Sequence, residues 1–238
     1  MTEGSEAQHA LDIKDISFAW PGTSAFRIEV PNLKLAAGER TALFGESGSG
    51  KTTLLSLICG IVSPTRGTVH LDGTDLGQLG GSARDRLRAN RIGVIFQQFN
   101  LLPFATPLDN ILLPLQFASE RRARVSDPKS EALRLTEALG LSDDLVVGGT
   151  AAQLSVGQQQ RIAVARALIG KPSLIIADEP TSALDASSQR DFLDLLLTQC
   201  DEASASLLMV THDDRLASAF GRIVEMNELC RISRGAAA

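Results

Sequence analysis

Short runs of Val, Ile and Leu recur along the chain and alternate with segments whose apolar residues repeat at helical spacing. Strands buried on both faces are continuously apolar, so this alternation is typical of a parallel β-sheet covered by helices. The pattern therefore predicts an α/β fold. Its predicted core strands are residues 41–44, 91–96, 174–177, 207–210 and 223–226.

Two regions depart from this alternation. Strand-like segments before Gly38, together with residues 68–71 and the Asp72-Gly73 turn signal, predict an N-terminal antiparallel β patch. Between residues 98 and 155 the strand signals vanish. We expect a single domain, with residues 98–155 forming a mainly helical lobe inserted into an α/β core of residues 1–97 and 156–238.

One helix within the predicted lobe is clear from its ends. Asp127 is a suitable N-cap, Pro128 suits the first turn, and Gly140 is a suitable stop. Leu135 and Leu139, four residues apart, share one face of this helix.

The 238 residues include 28 acidic and 23 basic side chains, a net charge of −5, and 44% are hydrophobic. This composition predicts a soluble globular protein and argues against one that coats nucleic acid. No apolar run reaches the roughly 20 residues that span a bilayer. Residues 1–10 lack the layout of a secretory signal. The cysteines Cys59, Cys200 and Cys230 show no disulfide or metal-ligand spacing, which fits a reduced cytoplasmic compartment.

The first chemical motif is the segment GESGSGKT at residues 45–52, between a predicted strand and a predicted helix at 53–61. In this context glycines let successive backbone N–H groups point at phosphate oxygens, and the helix N-terminus adds partial positive charge. Lys51 supplies a full positive charge, and Thr52 carries a hydroxyl suited to Mg²⁺. The alternative is a flexible Gly/Ser loop without a ligand.

The second motif is the pair Asp178 and Glu179, which follows an apolar strand. Asp178 is suited to holding Mg²⁺ through water, and Glu179 to polarising an attacking water as general base. The alternative interpretation is a solvated turn before Pro180, since turns favour acids and proline.

Polar residues also follow two other predicted strands: Gln97 after residues 91–96, and His212 after residues 207–211. Ligands bind beyond the carboxyl ends of the strands in open parallel sheets. We therefore expect Gly45, Gln97, Asp178, Glu179 and His212 to converge on one crevice. Taken alone, Gln97 is equally an ordinary loop starter and His212 an ordinary hydrogen-bonded surface or core group.

A third anion-binding element is predicted at residues 154–158, where Ser155 and Gly157 precede an expected helix at 159–169. In that helix Ile162, Ala165 and Ile169 form an apolar stripe. The competing interpretation of Ser155 is an ordinary N-cap.

In order, these motifs resemble those of the nucleotide-binding subunits of ATP-binding cassette (ABC) transporters, over about residues 11–231. The resemblance includes the phosphate loop 45–52, Gln97, the signature segment 154–158, the strand 174–179, the segment Ser182-Ala183-Leu184-Asp185, and His212. Residues 96–103 resemble more narrowly the lipoprotein-release and macrolide-export branch.

The resemblance implies an ATPase that hydrolyses ATP with Mg²⁺, on a P-loop nucleotide-binding core. It assigns catalysis to Glu179, His212 and Gln97, and the metal to Thr52, Gln97 and Asp178. Trp20 would stack on adenine, although it is also suited to be a hydrophobic plug. The full set of implied nucleotide-binding residues is Trp20, Gly45, Ser47, Gly48, Ser49, Gly50, Lys51, Thr52, Thr53, Ser155, Gly157, Gln158 and Asp185.

The signature segment departs from the family at one position: Val156 stands where glycine is usual. If that position required positive φ, valine would be strained there and nucleotide-dependent closure would weaken.

The resemblance also implies partners. Two subunits would pair head to tail around ATP, as a homodimer, and act on a separate transmembrane permease docked near Phe99, Leu101, Leu102 and Phe104. These four residues are equally suited to fill the lobe's core. The chain would lie on the inner face of the cell membrane, touching it only through the permease.

Two other functions remain open at this point. One is a divisome-type or other cassette ATPase that signals through a membrane partner without moving cargo. The other is a cassette ATPase acting on nucleic acid or ribosomes, which would usually show tandem cassettes or a long coiled-coil insertion. Neither is present here, so we expect no nucleic-acid partner.

Overall fold

A computed structural model describes residues 9–21, 26–182 and 184–234. The strands are β1 (His9–Ala19), β2 (Phe26–Ala36), β3 (Arg40–Phe44), β4 (Arg66–Leu71), β5 (Thr74–Asp75), β6 (Ile92–Ile95), β7 (Leu174–Asp178), β8 (Ser206–Thr211), β9 (Arg222–Glu225) and β10 (Arg231–Arg234). The α-helices are α1 (Lys51–Ile58), α2 (Gly81–Arg91), α3 (Pro107–Leu112), α4 (Ser119–Ala123), α5 (Pro128–Ala138), α6 (Asp143–Val147), α7 (Val156–Leu168), α8 (Ala186–Glu202), α9 (Asp214–Ala217) and α10 (Met226–Leu229). Short 3-10 turns occupy Leu76–Gln78, Leu113–Gln116 and Ala151–Gln153.

The chain forms two compact units. Unit 1 comprises residues 1–88 and 210–238, and unit 2 comprises residues 89–209. The expected division into a core of residues 1–97 and 156–238 and a lobe of 98–155 stays a prediction.

Unit 1 contains an antiparallel sheet with strand order β10-β2-β1-β4-β5. Ile13 of β1 lies opposite both Leu33 of β2 and Val69 of β4, and all three side chains are buried. The predicted turn lies between β4 and β5, where Asp72 and Gly73 have φ of 45° and 77°. Residues that tolerate left-handed backbone are those that tight hairpins require. The predicted antiparallel patch is therefore confirmed.

Unit 1 also contains the parallel pair β3 and β9, in which Thr41 lies opposite Arg222 and Phe44 opposite Glu225. The strand predicted at 223–226 lies one residue too late, since β9 begins at Arg222 and Met226 already begins helix α10. The predicted helix at 53–61 begins earlier, at Lys51, because the loop before it closes at Gly50.

Unit 2 pairs β6 with β7 in parallel, with Ile92 opposite Leu174 and Ile95 opposite Ala177. Helix α7 packs closely on β6: a Cβ added at Gly93 would lie 2.2 Å from the carbonyl oxygen of Ala167. Glycine at this position therefore allows the helix to approach the strand backbone.

Within residues 98–155, every described element is helical. Helix α5 has the predicted ends: the Asp127 carboxylate accepts hydrogen bonds from the N–H groups of Lys129 and Ser130, and Gly140 has φ of 72°. Leu135 and Leu139 are both buried. The helix and its buried face are thus confirmed.

Candidate functional site

The phosphate loop connects β3 to α1 in unit 1. Gly48 and Gly50 have φ of 79° and 86°, which only glycine adopts without strain. Gly50 is the N-cap of α1 and contributes no side chain, so no side chain caps the first N–H groups of the helix. A Cβ added at Gly45 would lie 2.8 Å from Ser49 Oγ and 2.9 Å from the side chain of Met226. The loop is thus shaped so that uncapped helix N–H groups are available to an anion.

Lys51 is folded across the phosphate loop. Its Nζ donates hydrogen bonds of 2.7 Å to the carbonyl of Gly45 and 3.0 Å to that of Glu46, and only 7% of the residue is exposed. Ser49 Oγ is buried and has no hydrogen-bond partner among the described residues. A buried hydroxyl without a partner is costly. The loop therefore has a polar atom and a cation suited to a phosphate group.

Trp20 lies beside the start of helix α1. Its indole N–H donates a 3.3 Å hydrogen bond to Thr53 Oγ1, and its ring meets that of Phe18 edge-on at 5.2 Å. The residue is 39% exposed. Trp20 therefore presents part of its ring to solvent beside the start of α1, and its stacking on adenine stays a prediction.

His212 follows β8 and is exposed. The preceding residue, Thr211, accepts a 3.2 Å hydrogen bond at its carbonyl from the N–H of Gly45, the first residue of the phosphate loop. The Thr211 hydroxyl also accepts a 3.1 Å bond from the N–H of Asp213. Unit 1 therefore brings together the phosphate loop, Trp20 and the segment carrying His212.

The acidic strand end lies in unit 2. The strand residues Leu174 to Ala177 are fully buried, and exposure begins at Asp178 and Glu179. Glu179 has φ of 44° although it is not glycine and precedes Pro180, a position that favours extended backbone. Such strained residues cluster at functional sites. Several ordinary turns also contain a residue at positive φ, so the catalytic role of Glu179 stays a prediction.

The signature segment begins helix α7. Ser155 Oγ accepts a hydrogen bond from the N–H of Gln158, and Gln158 Oε1 accepts a 2.9 Å bond from the N–H of Ser155. The N-cap interpretation of Ser155 is therefore observed, and the helix starts three residues before the predicted Gln159. A Cβ added at Gly157 would meet nothing within 4 Å. This open space leaves room for a ligand or a partner chain.

Val156 is the first residue of α7 and has the negative φ of a helical residue. It is 48% exposed. Valine is therefore not strained here, and the conditional expectation of strain does not apply.

Residues 97–104 form what we call the glutamine loop. Gln97 is exposed and Phe104 is 78% exposed, whereas Phe99 is only 6% exposed. The expectation that Phe99 belongs to an exposed docking surface was therefore wrong, and the alternative that it is buried holds for this residue. Leu101 and Leu102 are half-buried.

Sequence reasoning missed Arg166. Its guanidinium donates to the carbonyl of Asn100 at 2.7 Å and to that of Phe99. Burial lowers the pKa of this arginine. The sequence did contain an indication of a buried role for Arg166. It lies four residues after Ile162 and therefore on the helix's apolar stripe.

Arg121 of α4 was also missed. It is 2% exposed and donates 2.8 Å hydrogen bonds to the carbonyls of Ala167 and Ile169 at the end of α7. Burial, and to a lesser extent the charge of Arg124, lower the pKa of Arg121 to about 10, so it stays a cation at neutral pH. A cation there complements the negative end of the helix dipole.

Asp185 is the N-cap of helix α8. Its carboxylate accepts hydrogen bonds from the N–H groups and the hydroxyls of Ser187 and Ser188. These bonds, led by the hydroxyl of Ser187, hold the pKa of Asp185 well below its usual range. Ala183, two residues earlier, lies outside the described residues.

The described residues contain no group of three or more His, Cys, Asp or Glu side chains placed to hold a metal. Mg²⁺ instead typically takes one or two carboxylates together with substrate phosphates and water. Asp178 of unit 2, half-buried at the end of β7, and Thr52 of unit 1, exposed at the start of α1, each carry an oxygen of the type that Mg²⁺ binds. That they hold Mg²⁺ together stays a prediction.

The three cysteines are all buried. Burial raises the pKa of Cys230 to about 12, so this thiol is neutral at physiological pH. In the part of the chain that the structure describes, no helix combines the length and apolar character needed to cross a bilayer.

A glycine-rich loop joining a parallel strand to a helix, within this α/β architecture, defines a P-loop nucleoside triphosphatase. A family model described as ABC transporter matches residues 28–182. The chain therefore belongs to the ABC transporter family, as its motifs indicated, and is an ATP-binding subunit with the cassette ATPase fold.

Individual relatives agree with this assignment. The macrolide export ATP-binding/permease protein MacB of Rhodopirellula baltica is 43% identical over 82% of this chain, which spans 28% of that protein's length. The lipoprotein-releasing system ATP-binding protein LolD of Pseudomonas fluorescens is 40% identical over 82% of this chain and 84% of its own. The solved dimer of the ATP-binding cassette MJ0796, in a post-hydrolysis state bound to ADP and Pi, matches with TM-score 0.77 and 33% identity over 90% of this chain and 93% of its own.

Proposed function

We propose that this chain is the ATP-hydrolysing subunit of a transporter and couples ATP-driven closure of a cassette pair to a separate transmembrane permease. The observation that carries the proposal is the phosphate loop, which contains the N-terminus of α1 without a side-chain cap, the Lys51 ammonium and the buried Ser49 hydroxyl. Those groups match the charge and the acceptor oxygens of a phosphate chain.

In this proposal ATP binds to unit 1 first. Lys51 exchanges its two carbonyl partners for phosphate oxygens, while Trp20 stacks its exposed ring face on adenine. Aromatic rings suit this role because the adenine ring has a π-face. The remaining loop contacts would come from Gly45, Ser47, Gly48, Ser49, Gly50, Thr52 and Thr53.

Hydrolysis would use Glu179 as general base and His212 to hold the γ-phosphate and the water. A general base must keep a lone pair directed at the attacking water, and the fixed backbone of Glu179 suits that demand. Thr52, Asp178 and Gln97 would hold Mg²⁺, which neutralises developing charge on the phosphates. The predicted convergence of these residues on one crevice is part of the proposal.

A second copy of the chain would complete the site. Ser155, Gly157 and Gln158 stand at the N-terminus of α7, where the helix dipole is positive and the space above Gly157 is open. This end would meet the γ-phosphate bound by the other copy, and Asp185 would link the two sites. Loss of the γ-phosphate would then remove the contact that favours closure.

The permease side is proposed from the relatives' names and from the exposed aromatic in the glutamine loop. Proteins named for lipoprotein release and macrolide export favour export or lipoprotein release as the transport step. The 78% exposed Phe104, with Leu101 and Leu102, would receive the permease on the inner face of the cell membrane. In this arrangement residues 1–97 and 156–238 act as the nucleotide-binding core and residues 98–155 as the lobe.

The test is release of inorganic phosphate from Mg·ATP by the purified chain, alone and with its permease in vesicles. Lys51→Ala protein purified in parallel controls for contaminating phosphatases. Phosphate release above this control is expected, and none in either setting would overturn the ATPase proposal. ATP turnover without cargo movement in the vesicles would instead favour the signalling alternative.

A further inference from the structure

The glutamine loop contains two consecutive residues in left-handed backbone conformation. Phe99 and Asn100 have φ of 58° and 48°, although neither is glycine. Their N–H groups form short turn bonds, from Phe99 to the carbonyl of Phe96 at 2.9 Å and from Asn100 to that of Gln98 at 2.6 Å. Such backbone persists only where the surroundings hold it in place.

Arg166 is the group that holds it. One guanidinium reaches both neighbouring carbonyls, with Nη1 at 2.7 Å from the carbonyl oxygen of Asn100 and Nη2 bonded to that of Phe99. Only 8% of the residue is exposed. Burying a cation is costly unless it is hydrogen-bonded, and these two carbonyl bonds help to offset that cost.

The geometry requires arginine in particular. A guanidinium is planar and presents several N–H donors in a fixed fork, so it can bond two adjacent carbonyls at once. A lysine ammonium is a single point charge on a flexible chain and lacks this fork. The contact therefore depends on the shape of the donor as well as on its charge.

Arg166 belongs to the helix that starts at the signature segment. Helix α7 begins at Val156 next to the Ser155 cap, and its end is held by the buried Arg121. One helix therefore connects the N-terminus proposed to contact nucleotide with the backbone of the glutamine loop.

We propose that Arg166 is a positioning residue for the glutamine loop, which it fixes to helix α7 so that the helix and the loop move as one body. This deepens the proposed function, on which it rests: a pull exerted by nucleotide at the N-terminus of α7 reaches Gln97 and Phe104 through the Arg166 contacts. Phe99 and Asn100 serve as the attachment points.

Arg161 offers a matched control. It stands on the same helix and its guanidinium donates to the carbonyls of Leu139 and Gly140, at 2.8 and 3.5 Å, away from the glutamine loop. Arg166→Lys and Arg161→Lys both keep the positive charge and remove a guanidinium. A difference between them therefore reports the loop contact itself.

The experiment is amide hydrogen exchange on the full chain without nucleotide, following peptides that cover residues 96–104. We expect Arg166→Lys to speed exchange of the Phe99 and Asn100 amides about tenfold and Arg161→Lys to leave them unchanged, because only the first removes the bonds that hold the turn. Unchanged exchange in folded Arg166→Lys protein, or equal acceleration in both variants, would overturn the proposal.

ATP hydrolysis supplies the second readout. We expect Arg166→Lys to lower kcat while the KM for ATP stays at the wild-type value, because the phosphate loop is untouched. A raised KM with unchanged kcat would contradict the positioning role. If the wild-type chain failed to hydrolyse ATP, the proposed function would fall, whereas the exchange result would still decide whether Arg166 holds the loop.

Discussion

The Gln160 side-chain amide donates a 2.7 Å hydrogen bond to the backbone carbonyl of Pro180, the residue that directly follows Glu179. Gln160 is 1% exposed, so this is a buried bond from helix α7 to the turn after β7. Glu179 stands in left-handed backbone with φ of 44°, and its carbonyl accepts a 3.3 Å bond from the N–H of Ser182. The buried amide thus helps to hold a strained residue at the acidic strand end.

The strain at Glu179 predicts that glycine at this position gives a more stable protein than alanine, which is the reverse of the usual order. Glu179→Gly and Glu179→Ala both remove the carboxylate, but only glycine adopts positive φ freely. Left-handed backbone costs an L-residue roughly 1–2 kcal/mol, which exceeds the roughly 0.5–1 kcal/mol by which glycine usually disfavours folding. We expect the glycine variant to be more stable by about 1 kcal/mol. Urea unfolding without nucleotide measures this difference, and a more stable alanine variant would show that the turn is relaxed.

Glu179→Gln tests the chemistry rather than the backbone. The amide has nearly the shape of the carboxylate but cannot accept a proton from water. We therefore expect ATP binding to be retained and hydrolysis to slow by roughly 10²- to 10⁴-fold, the range for loss of a general base. Equilibrium binding of Mg·ATP and phosphate release are the two measurements. Unchanged turnover would remove Glu179 from the role of base.

The sequence predicted the features that depend on local pattern. Residues 45–52 indicated the phosphate loop because glycines at those positions permit one backbone shape, and Asp127 marked the start of α5 because its carboxylate caps the helix locally. Runs of apolar residues located the core strands to within one or two residues.

Features that depend on tertiary contacts were not predicted. For Phe99 the sequence left a docking surface and the lobe's core both open, because a loop phenylalanine carries no local sign of its burial, and the structure shows it buried. Neither the bonds of Arg166 to the glutamine loop nor the left-handed backbone of Glu179 and Phe99 is encoded by local propensity. An arginine on an apolar helical stripe was the one local sign of such a contact.

Val156→Gly tests the departure in the signature segment. Val156 is helical and 48% exposed beside the open space at Gly157, so its side chain occupies room at the N-terminus of α7. We expect ATP-dependent dimerisation of the glycine variant to equal or exceed that of the wild type, despite a cost to the helix of up to about 1 kcal/mol. Analytical ultracentrifugation measures this dimerisation, with and without Val156→Gly, in protein that also carries Glu179→Gln and therefore keeps ATP intact. Clearly weaker dimerisation would show that valine is favoured at this position.

Asp185 predicts a pH dependence of stability. Hydrogen bonds from Ser187 and Ser188 lower its pKa in the folded chain, so the carboxylate stabilises the fold above its ordinary pKa, near 3.8. That stabilisation is lost as the pH falls towards the lowered value. Asparagine still caps a helix but does not titrate in this range. We therefore expect the free energy of unfolding to fall less steeply below about pH 4 in Asp185→Asn than in the wild type.

Asp127→Asn is the matched control for this effect. Asp127 caps α5 in the same way, and bonds from the hydroxyl and N–H of Ser130 lower its pKa too. In both asparagine variants the free energy of unfolding should fall less steeply at acid pH than in the wild type, because each variant removes one carboxylate with a lowered pKa. Only Asp185→Asn should also slow ATP hydrolysis, since Asp127 belongs to no proposed nucleotide contact. Urea titrations across the acid range, with phosphate release at neutral pH, separate the two effects. Equal turnover in both variants would leave Asp185 as a helix cap alone.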